Sequence, residues 1–268
     1  KLSYDISSAW NIIGDLNVTH FNAANPGPVN APRIDNDSHI TRGMGAIAIQ
    51  NRYKKSWGAI NAFFNWGRHR INDGYVQGGK PLDYRFNSKD RMAGISFYQN
   101  ATFFTGNLIT AGFDYQRFGG KAWNHFLNTD TDQPLVDKTI DDLAGYIDFR
   151  QDIGKTITLD AGVRFDHNSH TGNEWIPQGG LTLYLPRRTE LKAVVSKGFR
   201  NPTIREMYMF PPQNPDLRPE RLMNYEFSVT QSFWQRKLSL SANVYYLKGD
   251  NTIQAVFDGN RPINVNTG

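Results

Sequence analysis

Ser196-Lys197-Gly198-Phe199-Arg200-Asn201-Pro202-Thr203-Ile204-Arg205-Glu206-Met207-Tyr208 decides how this chain is read, together with Asn214-Pro215-Asp216-Leu217-Arg218-Pro219-Glu220 and Asn224-Tyr225-Glu226 downstream. A strand ends at Phe199, a loop punctuated by Pro202, Pro215 and Pro219 follows, and a new strand begins near Met223. Proline lacks a backbone donor, so it stiffens the loop and bars it from a central strand.

The flanking segments alternate with period two, the mark of β-strands. Leu159, Ala161, Val163 and Phe165 face one way, and Thr158, Asp160, Gly162, Arg164 and Asp166 the other. Leu143, Gly145, Ile147 and Phe149 oppose Tyr146, Asp148 and Arg150 in the same manner. These runs reach the roughly ten residues that cross a bilayer with tilt, against about five or six in ordinary globular strands. Six short connections fall near residues 7–11, 51–55, 99–105, 151–155, 186–190 and 233–236. Between them lie longer ones at 22–37, 69–89, 119–141, 166–173, 200–221 and 248–252. Short turns at one end and long loops at the other is the layout of outer-membrane barrels, and about twelve strands are expected. Helical periodicity is confined to a turn or two at 137–143 and 201–209, the latter with Pro202 at a first helical position.

Composition permits this. The 268 residues include six Trp, twelve Tyr and seventeen Phe, or 13% aromatic. Trp and Tyr favour membrane interfaces, where one end of the ring is apolar and the other hydrogen-bonds. Mean hydropathy is −0.56, and no run approaches the ~20 apolar residues of a transmembrane helix. Barrel strands escape that test because only alternate residues face lipid. There is no cysteine, hence no disulfide framework or thiolate metal site. The +5 formal charge is scattered with no basic run, which argues against nucleic acid. The chain opens on Lys1-Leu2-Ser3-Tyr4-Asp5-Ile6 and closes on Asn264-Val265-Asn266-Thr267-Gly268, both of which read as interrupted strands.

The central stretch resembles the late-barrel segment of TonB-dependent outer-membrane receptors. Gly198, Phe199, Arg200, Pro202, Thr203, Ile204, Glu206, Met207 and Tyr208 fit its first part. Asn214, Pro215, Leu217, Pro219 and Glu220 fit the second, and Tyr225 and Glu226 the third. The resemblance implies a bacterial outer-membrane location. It also implies active import of a scarce small ligand such as an iron–siderophore, haem, cobalamin or metal chelate. The TonB energy complex would be the partner, acting through a plug and TonB box that residues 1–268 do not contain. Residues 1–268 are therefore expected to be part of a receptor barrel, either an open curved sheet or a smaller barrel. The motif residues are expected to be mostly structural, with Glu220 pairing near a strand start and Tyr225 anchoring at the interface.

Ligand-binding candidates lie in the outer segments. Trp123 and His125, read as part of a long loop at 119–141, could stack on a flat ligand or pack that loop down. His167 and His170 are borderline-metal ligand types, and Arg205 and Tyr208 sit in the motif loop. No metal site or resident cofactor is assigned. Gly74-Tyr75-Val76-Gln77-Gly78-Gly79-Lys80 has phosphate-loop spacing, but Pro81 follows where Ser or Thr is needed. Residues 128–137 carry the carboxylates of a calcium loop with Pro134 where its glycine belongs. No catalytic constellation appears, so no enzyme is expected. The alternatives are a passive porin-like channel and a soluble β-propeller or sandwich binding module.

Overall fold

The computed structural model describes residues 1–209, 212–259 and 261–268, with the backbone alone for Arg236 and Asp258. Phe210 and Pro211, inside the expected 200–221 connection, lie outside the described residues. The strands are β1 (Leu2–Asp5), β2 (Trp10–Ala24), β3 (Arg33–Arg52), β4 (Ser56–Val76), β5 (Tyr84–Ala101), β6 (Asn107–Phe126) and β7 (Thr131–Ile153). They continue with β8 (Ile157–Asn168), β9 (Gly172–Leu185), β10 (Thr189–Arg200), β11 (Glu220–Phe233), β12 (Leu238–Asp250), β13 (Thr252–Asp258) and β14 (Arg261–Thr267).

Strands β1 to β12 form one antiparallel sheet in strict sequence order, with β1 and β12 at its edges; β13 and β14 pair separately. A single meander of this kind is neither a sandwich nor a set of propeller blades. It is the all-β, antiparallel architecture of about twelve long strands expected above, in open form.

The two faces are sorted in the sense opposite to a soluble protein. On β8, Thr158 and Asp166 are 3% and 6% exposed, whereas Leu159 and Val163 are 40% and 36% exposed. The same holds elsewhere: Ile60, Phe64, Ile95, Phe97, Phe113, Ile147 and Phe149 are all exposed. An apolar face turned outward and a polar face turned inward is what hydrocarbon outside and water inside select.

Strand length sets what stands clear of the bilayer. β8 has 12 residues and β9 14, close to the span requirement of roughly 9–11. β3, β4, β6 and β7 have 20, 21, 20 and 23. Their surplus lies at the end opposite the short turns and continues as paired ribbon. This corrects several expectations. Most of 119–141 is strand, joined by a short turn between Phe126 and Thr131, so Trp123 and His125 lie on β6 and not on a long loop. Residues 137–143 belong to β7 and hold no helix. Residues 69–89 are likewise mostly in strands, and half of 22–37 belongs to β2 and β3. The genuine long loop is 201–219, and its helical turn is the π-turn Arg205–Met209, with Pro202 before it and not at its start.

Two adjacent glycines permit close approach in the β5–β7 ribbon. A Cβ on Gly119 would lie 2.2 Å from the Lys138 carbonyl of β7, and one on Gly120 2.3 Å from the Lys89 carbonyl of β5. Just beyond them, Val136 and Pro134 face the consecutive residues Ala122 and Trp123. Leu135 is thus the extra residue of a bulge, a setting that tolerates a strand proline.

Candidate functional site

The loop 201–219 folds back across the polar face and is fastened at both ends. Thr203 and Glu206 cap each other: the Glu206 N–H donates to Thr203 Oγ1 at 3.1 Å, and the Thr203 N–H donates to Glu206 Oε2 at 2.7 Å. This is the reciprocal capping box of a Thr-x-x-Glu sequence. Sequence reading passed it over, although the spacing was there to see. Arg200, the last residue of β10, then bridges two carboxylates. Its Nη1 donates to Glu206 Oε2 at 2.9 Å and its Nε to Glu220 Oε2 at 2.5 Å. The second Glu220 oxygen accepts the Ile253 N–H at 2.6 Å, which carries the latch to the β13–β14 hairpin.

Amides complete the fastening. Asn264 Nδ2 donates to the Glu206 carbonyl and Asn214 Nδ2 to the Asn264 carbonyl, at 2.9 and 2.8 Å. Asn266 exchanges hydrogen bonds with the Arg218 backbone in both directions. Beneath them Met207, at 0% exposure, packs with Leu217 and with Ile140 of β7, flanked by Phe118, Ile204, Tyr208 and Ile253. Pro202 and Pro219 are buried at the loop's two ends, and Pro215 is exposed. Phe199 pairs in register with Arg221; Tyr225 is exposed with its ring 6.2 Å from that of Tyr246, and Glu226 accepts from Asn243. Loop, hairpin and β7 therefore make one small core outside the bilayer-crossing part of the sheet.

Burial works against the charge on Glu206. The hydrogen bonds from Arg200 and from the Thr203 N–H and hydroxyl outweigh it and hold the carboxyl below the ordinary carboxylate range.

Below the loop, the polar face carries paired charges. Arg164 bridges Asp114 at 2.5 Å and Asp166 at 3.1 Å. Glu174 on β9, 5% exposed, is held by Lys197 at 2.8 Å and by Arg221. Buried charges persist only when paired in this way.

Of the six ligand candidates, the structure brings two together. His170, in the β8–β9 turn, donates from Nε2 to the Pro215 carbonyl at 2.8 Å. Its Nδ1 lies 3.4 Å from the Tyr208 hydroxyl, and Lys138 stands 4.7 Å over the Tyr208 ring. Arg205 borders a groove of about 510 Å³ between the loop and β5–β7, which Met92, Phe118, Ile204 and Met209 also line. The other three lie apart. His167 hydrogen-bonds Asn173, and His125 contacts Asp132 at 2.9 Å and Asp130 at 3.6 Å. Trp123 sits between Lys89 and Lys121 on the outward face. Among the described residues, no group of three His, Asp or Glu side chains could hold a metal ion.

The sheet and loop have relatives. The iron-regulated outer membrane virulence protein of Vibrio cholerae serotype O1 is 26% identical over 195 residues, covering 68% of this chain and 28% of that protein. The siderophore receptor PirA from Acinetobacter baumannii matches with a TM-score of 0.76 at 15% identity, covering 94% of this chain and 42% of the receptor. The copper transporter OprC matches with a TM-score of 0.80 at 12% identity, covering 98% and 46%. At such identities the structural likeness is one of fold. The chain spans less than a third of the curated relative and less than half of either solved chain. Residues 3–268 match the family described as TonB dependent receptor-like, beta-barrel. The chain therefore belongs to the β-barrel domain family of TonB-dependent receptors of the bacterial outer membrane, a family of receptors and not of enzymes.

Proposed function

We propose that residues 1–268 form part of the barrel wall and outer entrance of an active-transport receptor for a scarce small ligand. Plug and remaining strands are supplied by other parts of the same receptor, and a TonB complex supplies the energy. The observation that carries this reading is the latched loop 201–219, folded across a polar, charge-paired wall. A passive pore is served by an open constriction, whereas a fastened loop over a polar interior suits capture followed by release. The groove of about 510 Å³ beneath the loop has the size of a small-molecule site. Arg205 at its rim is the proposed anion contact, with Tyr208 and His170 as neighbours. An iron chelate is the favoured class, supported by the names of an iron-regulated relative and a siderophore-receptor neighbour.

The test is uptake of radiolabelled ferric siderophores by iron-starved cells with and without the protein. Uptake should require both the protein and a working TonB complex. Uptake that persists after TonB is inactivated would identify a passive channel and overturn the reading.

A further inference from the structure

The outward face carries a cationic row, of whose patch Lys89, Arg91 and Lys121 also border the groove beneath the loop. Arg68 of β4, Lys89 of β5 and Lys121 of β6 are direct cross-strand partners. They share the face of Ile60, Phe64, Ile95, Phe97 and Phe113, because each is an even number of residues from those exposed apolar positions. Arg70 and Arg91 extend the patch by one step on either side of the row. All five cations are exposed. Among the described residues, no carboxylate lies within ion-pair distance of any of them.

The height of the row matters. Below it, the outward face of β4 reads Gly58, Ile60, Ala62, Phe64 and Trp66. The ten residue steps from Ser56 to Trp66, at about 3.4 Å each and a tilt of about 40°, rise about 26 Å, the height of a barrel's apolar band. The cations therefore start where hydrocarbon ends, at the long-loop side. Trp66 closes the band by lying over Gly43, where a Cβ would come within 2.4 Å of the indole. Above the row Trp123 stands between Lys89 and Lys121, its ring centre 5.9 and 5.7 Å from their ammonium nitrogens. Cation–π contact and like-charge neighbours keep both ammonium groups raised and facing out.

Acid bounds the patch on both flanks. On β7, Asp137 faces Lys121 in register and Asp141 is engaged by Arg117 and Tyr115. On β3, Asp37 is paired with His39. Asp90 lies close in sequence but on the polar face, bound to Arg42 and near His69. It does not neutralise the outward row.

We propose that this row binds the phosphorylated headgroup of a glycolipid in the outer leaflet. Arg68, Lys89 and Lys121 would contact phosphate, Arg70 and Arg91 a second anionic group, and Phe64 and Ile95 would meet the acyl chains. Phosphate is the fitting anion because several cations in a line at headgroup height match a multiply charged group there. The acyl chains distinguish a lipid from free phosphate, since the cations continue directly into an apolar band. The proposal rests on the outer-membrane location and is independent of the transported ligand.

The test is titration of the detergent-extracted protein with bis-phosphorylated lipid A, read by native mass spectrometry. Wild type should bind it at least tenfold more tightly than chemically dephosphorylated lipid A. Millimolar inorganic phosphate should not displace it. Combined Arg68→Gln, Lys89→Gln and Lys121→Gln should weaken binding at least tenfold, and the charge-preserving set Arg68→Lys, Lys89→Arg and Lys121→Arg should keep it within threefold. Equal binding of the two lipids by wild type overturns the proposal even if the glutamine variant does not fold. So does full displacement by inorganic phosphate, which would mark a plain anion site, and so does unchanged binding by a folded glutamine variant.

Discussion

Glu206 does three jobs: its carboxylate caps Thr203 and pairs with Arg200, and its backbone carbonyl accepts from Asn264. Glu206→Gln should weaken the latch by about 1–2 kcal/mol, a value kept low because Arg200 is partly solvated. Faster protease cleavage within 201–219 at pH 7 would register it. The latch should also respond to acid. The folded-state pKa of Glu206 lies below its ordinary 4.5, so its contribution is complete above that value and is lost as pH falls through the lower one. Cleavage in the wild-type loop should rise only below about pH 4.5, and in Glu206→Gln the rise should be smaller but not absent, because Glu220, also held below the ordinary range by Arg200, still titrates there. Met207→Ala removes a fully buried side chain and should cost about 2–3 kcal/mol of loop stability. Hydrogen exchange at the π-turn would report it, with β8–β10 unaffected.

The strands show what alternation reveals and where it fails. Turns near 53–55, 154–156 and 186–188 fell where expected, because bilayer-crossing strands must alternate up to their last residue. The outer ribbons were misread as loops for a physical reason. Above the bilayer both faces meet water, so Lys, Asp, Gly and Asn appear on each and the period-two signal fades while the backbone ladder continues. Gly119-Gly120 looked like loop composition and is a close approach of three strands. Gly120→Ala should force β5 and β6 apart there, speeding amide exchange in the outer halves of β5–β7 and leaving the short turns unchanged. The latch was legible as a motif but not as a contact set, since Asn264 and Glu206 are 58 residues apart. The cationic row was invisible for a related reason: Arg68, Lys89 and Lys121 become neighbours only once the register is known.

At the scale of the molecule, the inverted distribution of burial is the feature that assigns a solvent to each face. Phe97→Arg places a charge near the middle of the apolar band and should cost about 2–4 kcal/mol. Ser96→Arg, one residue away on the polar face, should cost under about 1 kcal/mol. Equilibrium refolding into phospholipid bilayers would measure both, and equal costs would contradict the face assignment.

The strict β1-to-β12 order also has a kinetic meaning. Each ladder in the sheet closes on its immediate predecessor, so nearly every pairing needs only a short chain closure, whose entropy cost is small. The sheet can thus be laid down progressively at a single growing edge. The contacts that join Glu206 to Asn264 and Glu220 to Ile253 wait until β11 to β14 are in place. Variants of the latch should therefore insert at the normal rate and differ only afterwards, which lets sheet assembly and loop closure be dissected by separate mutations in one protein.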